Sequence, residues 1–184
     1  MSADPTPLGL TGFSSIVLMI SMYYVGIFSN LLWLTSVGTI AGITLLLSSY
    51  HHLKIGNTIP GTTFGVYGSF WISVVLYNIT SPTEAEFAEA MTYIRIPIAI
   101  FTLYAWIVSL YISKISFLIF TTLEIKILLF IIGYFTHKDI IMKTGGVSGI
   151  ICSILGYYTA ASLMLKPFIN LPLGKPILYP KNLN

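Results

Sequence analysis

Residues 5–50 read PTPLGLTGFSSIVLMISMYYVGIFSNLLWLTSVGTIAGITLLLSSY and hold no charged side chain. A helix that crosses a bilayer needs about 20 apolar residues, so this stretch accommodates two spans. The break falls at Ser29-Asn30, giving spans over 10–28 and 31–50, and His51, His52 and Lys54 close the second. On the same ruler a third span covers 62–78, stopped by Ser81-Pro82 and the acidic group Glu84, Glu86 and Glu89. A fourth covers 94–111 and is closed by Lys114. The fifth, 115–134, is interrupted by Glu124 and Lys126. The sixth, 145–165, follows a polar loop holding His137, Lys138, Asp139 and Lys143. The expected fold is an all-α integral membrane protein, a compact bundle of six transmembrane helices. It divides into an N-terminal opening at 1–9, a membrane domain at 10–165 and a Pro-rich tail at 166–184.

Composition agrees with that class. Charged residues are 8% of the chain and mean hydropathy is +0.87, whereas a soluble domain carries about 25% charged residues. The first segment lacks the basic flank of a cleaved signal peptide. Cys152 is the single cysteine, so it forms no internal disulfide and reads as a small buried hydrophobe. A net charge of +3 is too small and too dispersed to argue for nucleic acid. No His, Cys and carboxylate spacing suits a metal, and no cofactor is expected. His51, His52 and His137 read as solvated residues at helix ends. With no nucleophile–base pair, metal cluster or phosphate loop, an enzyme is not expected. Asn78-Ile79-Thr80 is a formal glycosylation sequon.

Orientation follows from Lys and Arg. With the N-terminus inside, Lys54, Lys114, Lys166, Lys175 and Lys181 are cytoplasmic, against Arg95, Lys138 and Lys143 outside. That balance favours both termini in the cytoplasm. The tail carries Pro167, Pro172, Pro176 and Pro180, which rules out a long helix and predicts an extended strap.

The first span opens on Asp4-Pro5-Thr6-Pro7-Leu8-Gly9-Leu10, with Gly12-Phe13 just after. Pro5 and Pro7 fix φ and are cheap in a first helical turn. Gly9 and Gly12 strip bulk from the opening turns, so a neighbouring helix or a ligand can approach backbone. A helix start with bare amides suits a carboxylate; it equally suits a plain membrane-helix start.

A second block runs from Gly56 to Trp71. Asn57 and Thr58 beside glycines read as a turn and cap for the third span. Gly61, Gly65 and Gly68 fall on one helical face, which suits close helix packing. Tyr67 lies beside that face and offers a ring and a hydroxyl to a path.

Together these blocks resemble the acetate uptake transporter family, the succinate–acetate permeases. The family's Asn-Pro-Ala-Pro-Leu-Gly-Leu is matched by residues 4–10, its Gly-Asn-Thr by Gly56-Asn57-Thr58, and its Tyr-Gly-Ser-Phe-Trp by Tyr67–Trp71. A Leu-Pro-Ile-Gly near its C-terminus corresponds to Leu171-Pro172-Leu173-Gly174. The resemblance implies a homohexamer with one pathway per protomer and a fold like that of urea and amide channels. It implies an apolar constriction of Phe13, Tyr67 and, by gapless spacing, Leu123. It also places Asp4, Pro5, Pro7, Leu8, Gly9, Leu10, Asn57, Thr58 and Ser69 along the substrate pathway. Asp4 replaces the family's Asn at the mouth, Pro60 stands where many relatives have Gly, and Glu124 sits in a helix usually free of charge.

Glu124 falls near the middle of the fifth span. A carboxylate at that depth costs at least about 2.5–3.5 kcal/mol on insertion scales, so it is partnered or protonated, and such acids serve as proton relays. The alternative is a protonated side chain hydrogen-bonded at a protomer contact. Lys126, two residues on, projects from another side of the helix. Arg95 and Pro97 open the fourth span, where Arg95 either gathers anions or, more in keeping with its position, anchors at headgroup level.

The function expected is a transporter or channel for acetate and similar small monocarboxylates, extending to succinate and linked to protons. An anion stripped of water in an apolar neck pays several kcal/mol, and the neutral acid far less. The competing reading is a neutral-solute channel for urea, amides or ammonia; a third is a membrane protein that transports nothing.

Overall fold

The computed structural model describes residues 3–80 and 83–179; Ser81, Pro82, Pro180 and Lys181, all used above, lie outside them. The described residues form six helices: α1 (Thr6–Val25), α2 (Leu32–Lys54), α3 (Thr58–Thr80), α4 (Glu84–Ser109), α5 (Lys114–Thr136) and α6 (Asp139–Leu165). Each is long and apolar enough to cross a membrane. The chain is an all-α, multi-pass membrane protein.

Local chemistry sets the helix ends, and it moves several of them from their expected places. α1 begins at Thr6 rather than residue 10, because the Asp4 carboxylate accepts the Thr6 N–H at 2.9 Å and the Thr6 hydroxyl at 2.6 Å. It ends at Gly26, whose left-handed φ of 98° lets the amides of Gly26 and Ile27 close on the last carbonyls. α4 begins ten residues before its expected start at Ile94. Thr83 caps it by accepting the Glu86 N–H at 3.2 Å, and its hydroxyl donates to the Glu86 carboxylate at 2.9 Å. Glu84 and Glu86 therefore sit in a first turn, where the helix dipole favours them. Pro97, expected near the start of this helix, lies inside it. α6 likewise starts at Asp139 and absorbs Lys143, which was expected in a loop.

Packing follows small residues. α1 lies between α2 and α6; α2 packs on α3, α6 on α5 and α5 on α4. A Cβ at Gly156 would strike the Ser14 hydroxyl, and one at Gly146 would come within 2.9 Å of the Ser21 carbonyl. The glycine face of α3 is taken up by α2: a Cβ at Gly65 would lie 2.8 Å from Ser49 Oγ, and one at Gly68 2.9 Å from Leu46. α3 and α4 touch only lightly, leaving a lateral groove lined by Gly65, Ser69, Ser73 and Pro97.

Beyond α6 the tail is irregular to the end of the described residues. It crosses the α4–α5 turn, where the amides of Ile177 and Leu178 donate to the Leu110 carbonyl and that of Ile115 donates to Leu173. The hydroxyls of Tyr158 and Ser162 on α6 hold Pro172 and Leu171 by their carbonyls. This is an extended strap, bound to the end of the bundle that also carries Asp4.

Candidate functional site

Four helices surround a small cavity of about 30 Å³ inside the bundle, room for one or two waters. α1 supplies Phe13, Val17 and Ile20; α3 supplies Tyr67, Phe70 and Trp71; α4 supplies Met91, Arg95 and Ile98; α5 supplies Leu123, Lys126, Ile127 and Phe130. On α1 and α5 these positions recur at intervals of three and four, the signature of one helical face turned inward. α2 and α6 brace the ring from behind.

The three residues expected at a constriction line this cavity together. Phe13, Tyr67 and Leu123 are all buried, and the Phe13 and Tyr67 rings stand 5.8 Å apart at 44°. Phe101 meets the edge of Tyr67 at 5.4 Å from the next helix. These are the tilted and edge-to-face arrangements that packed aromatic rings prefer.

The hydroxyl of Tyr67 has a defined polarity. It lies 2.9 Å from Thr102 Oγ1, and the Thr102 hydroxyl donates to the Ile98 carbonyl at 2.7 Å. A threonine has one hydroxyl proton to give, so satisfying both bonds makes Tyr67 the donor to Thr102. Its oxygen keeps only acceptor capacity. A bare carboxylate, itself an acceptor, gains nothing from it, while an O–H or N–H donor does.

The other expected pathway residues lie elsewhere. Asp4, Pro5, Pro7, Leu8 and Leu10 are at the N-terminal end of the bundle, outside the cavity lining. The Thr6 amide is not bare, because Asp4 occupies it. Ser48 donates to the Pro5 carbonyl at 2.9 Å, and Gly9 is pressed against Ser48 and the Phe64 ring, so this opening is tied down by α2 and α3. Asn57, in the α2–α3 turn, and Thr58, the first residue of α3, are both exposed, with the Asn57 backbone amide donating to the His52 carbonyl. Ser69 is exposed on the lateral groove and is not brought to Tyr67's side of α3. Glu124, the eleventh residue of a 23-residue helix, is half-buried and off the cavity face; its Oε2 is buried with no hydrogen-bond partner.

Three residues differ from expectation. Arg95 is not at headgroup level: α4 starts so early that Arg95 is carried into the bundle, where it is 4% exposed. Its Nη2 donates to the Tyr24 hydroxyl at 2.8 Å, and its guanidinium lies 4.9 Å from the Phe130 ring centroid. Lys126 is buried too, with its ammonium 5.6 Å from the same ring. The sequence held the clue, since Leu123, Lys126, Ile127 and Phe130 fall at i, i+3, i+4 and i+7. His52 is not a solvated end residue but is 2% exposed, stacked on Phe64, with Nε2 3.2 Å from the Thr6 hydroxyl.

Six helices able to span a membrane, four of which wall a small cavity lined by aromatic rings, are the architecture of a membrane protein of the solute-conducting kind. Residues 1–173 match the model of the GPR1/FUN34/yaaH family, and the chain belongs to that family. It is 30% identical over 188 residues to a protein of Methanothermobacter thermautotrophicus, covering 96% of this chain and 90% of that one. It is 27% identical over 183 residues to the succinate-acetate/proton symporter SatP of Escherichia coli K12, covering 94% and 96%. The solved structure of the bacterial acetate channel SatP superimposes with a TM-score of 0.85 at 27% identity, over 95% of this chain and 100% of that one.

Proposed function

We propose that this protein carries acetate and similar small monocarboxylic acids across the cytoplasmic membrane by a proton-linked route through the cavity of each protomer. The observation that carries the reading is the neck of Phe13, Tyr67 and Leu123, whose one polar atom has its proton committed to Thr102 and only acceptor capacity left for a solute. Such a neck favours CH3COOH over CH3COO⁻, because the acid presents an O–H and avoids the cost of burying a charge. The likeness to a succinate-acetate symporter and an acetate channel supports the same substrate class. Succinate needs a second neutralisation and more room.

Glu124 is the proton-relay candidate: it lies mid-helix, next to Leu123, with an unpaired carboxyl oxygen. The lateral groove of Gly65, Ser69 and Ser73 offers a small-residue seat for a second copy, as a homohexamer requires. The strap, the N-terminus and Lys54, Lys114, Lys166 and Lys175 share one end of the bundle, which is read as cytoplasmic.

Labelled-acetate uptake into proteoliposomes, with and without an inward proton gradient, tests the reading. Accumulation above equilibrium only with the gradient, after subtracting diffusion into empty liposomes, is the expected result for symport. Faster equilibration without accumulation marks a channel, and no protein-dependent uptake refutes acetate transport. The same Tyr67 oxygen would also accept an amide N–H, which favours urea or a short amide as the second reading; competition by urea against acetate separates the two.

A further inference from the structure

Among the residues lining the cavity, two are cations, and no acid among the described residues pairs with them. Asp4 caps α1 at the far end of the bundle, Glu84, Glu86, Glu89 and Asp139 are exposed, and Glu124 lies off the cavity face. Arg95 spends one N–H on Tyr24; a guanidinium has five and an ammonium three. The remaining donors have no acceptor among the described residues. Both side chains line the cavity, so an acceptor held there is the one within their reach. Both heads lie over one ring, Phe130, which gives each a partial counter-charge but leaves two like charges facing the same space. Cations inside a membrane bundle are costly and mark ion paths. The group that relieves this arrangement is an anion.

We propose that Arg95 and Lys126, gathered on Phe130 and Tyr24, form a binding site for one small carboxylate in its charged form, on the side of the neck away from the N-terminus. The site deepens the transport reading, on which its biological use rests. Arg95 precedes Thr102 by seven residues, about 10 Å along α4, so the site stands before the neck for a solute coming from that end. The carboxylate is collected as an anion, the guanidinium and ammonium N–H groups replacing its water, and leaves for the neck only after gaining a proton. The protein thus concentrates the abundant charged species and transmits the scarce neutral one.

The test is equilibrium binding of labelled acetate to the purified protein, with iodide and acetamide as competitors. Iodide is an anion without a carboxylate, and acetamide is acetate's uncharged isostere. Iodide should displace acetate and acetamide should not. Arg95→Leu with Lys126→Met should weaken acetate binding at least tenfold, while Lys126→Arg should retain it. Unchanged binding in the double variant overturns the site, as does displacement by acetamide but not iodide, or the absence of acetate binding in the wild type. If the double variant does not fold, the wild-type competition pattern decides. Failure of wild-type uptake with binding intact refutes the transport reading alone and leaves the anion site standing.

Discussion

Tyr67 gives its hydroxyl proton to Thr102, 2.9 Å away, because Thr102 has already committed its own proton to the Ile98 carbonyl. The Tyr67 oxygen therefore carries a fixed hydrogen-bond sign, held by the backbone of α4. A side chain free to rotate would serve donors and acceptors alike.

Tyr67→Phe removes that acceptor while keeping the ring. One net hydrogen bond is about 0.5–1.5 kcal/mol, so acetate uptake should fall about two- to tenfold. The bundle should lose stability of similar size. Uptake equal to wild type in proteoliposomes would show that the oxygen is only structural.

If the neck passes the neutral acid, uptake rises as external pH falls. A carboxylic acid with a pKa of roughly 4–5 is almost wholly ionised at pH 7, and its neutral fraction grows about tenfold by pH 6. Initial rates should follow that slope. Glu124→Gln keeps the shape but cannot exchange a proton, and it should flatten the pH profile. A profile superimposable on wild type removes Glu124 from the proton route.

Phe13→Leu takes away the ring that stands 5.8 Å from Tyr67 and should cost less than the about 3–5 kcal/mol of a full truncation to alanine. The widened neck should admit butyrate several-fold better relative to acetate. Competition uptake with the two acids measures the ratio directly, and an unchanged ratio would place the size filter elsewhere.

Gly149→Ala tests the seam between α1 and α6. The added methyl would collide with the Ser21 side chain and lie 2.8 Å from Lys126 Cδ, an overpacking worth about 1–3 kcal/mol. A lower midpoint in detergent thermal unfolding is expected. Because the Lys126 stem is displaced, acetate affinity should fall with it.

The six spans are legible because each is a run of apolar residues of bilayer length between polar breaks. Their ends are less so. Counting charge as a stop put the fourth span at Ile94, although Thr83 and Glu86, three apart, spell a helix start. That displacement is what sent Arg95 to the membrane surface on paper and hid it from the site. Lys126 was hidden differently: its charge was read as an interruption, when its spacing from Leu123 and Phe130 places it on the inward face. His52 looks like a helix-end residue in one dimension, and only the return of α1 beside α2 buries it. Which glycine face meets which helix has no local sign, since Gly149 and Ser21 are brought together only by closure of the ring.

That closure has a bearing on how the protein is made. α1 packs most extensively on α6, so the first of these six helices to be synthesised has its main partner in the sixth. Until α6 is inserted, Ser14 and Ser21 have no glycine wall to cover them and face lipid or insertion machinery. The ring thus closes only with the sixth helix in place: a chain halted before Gly145 lacks the surface against which Ser14 and Ser21 pack.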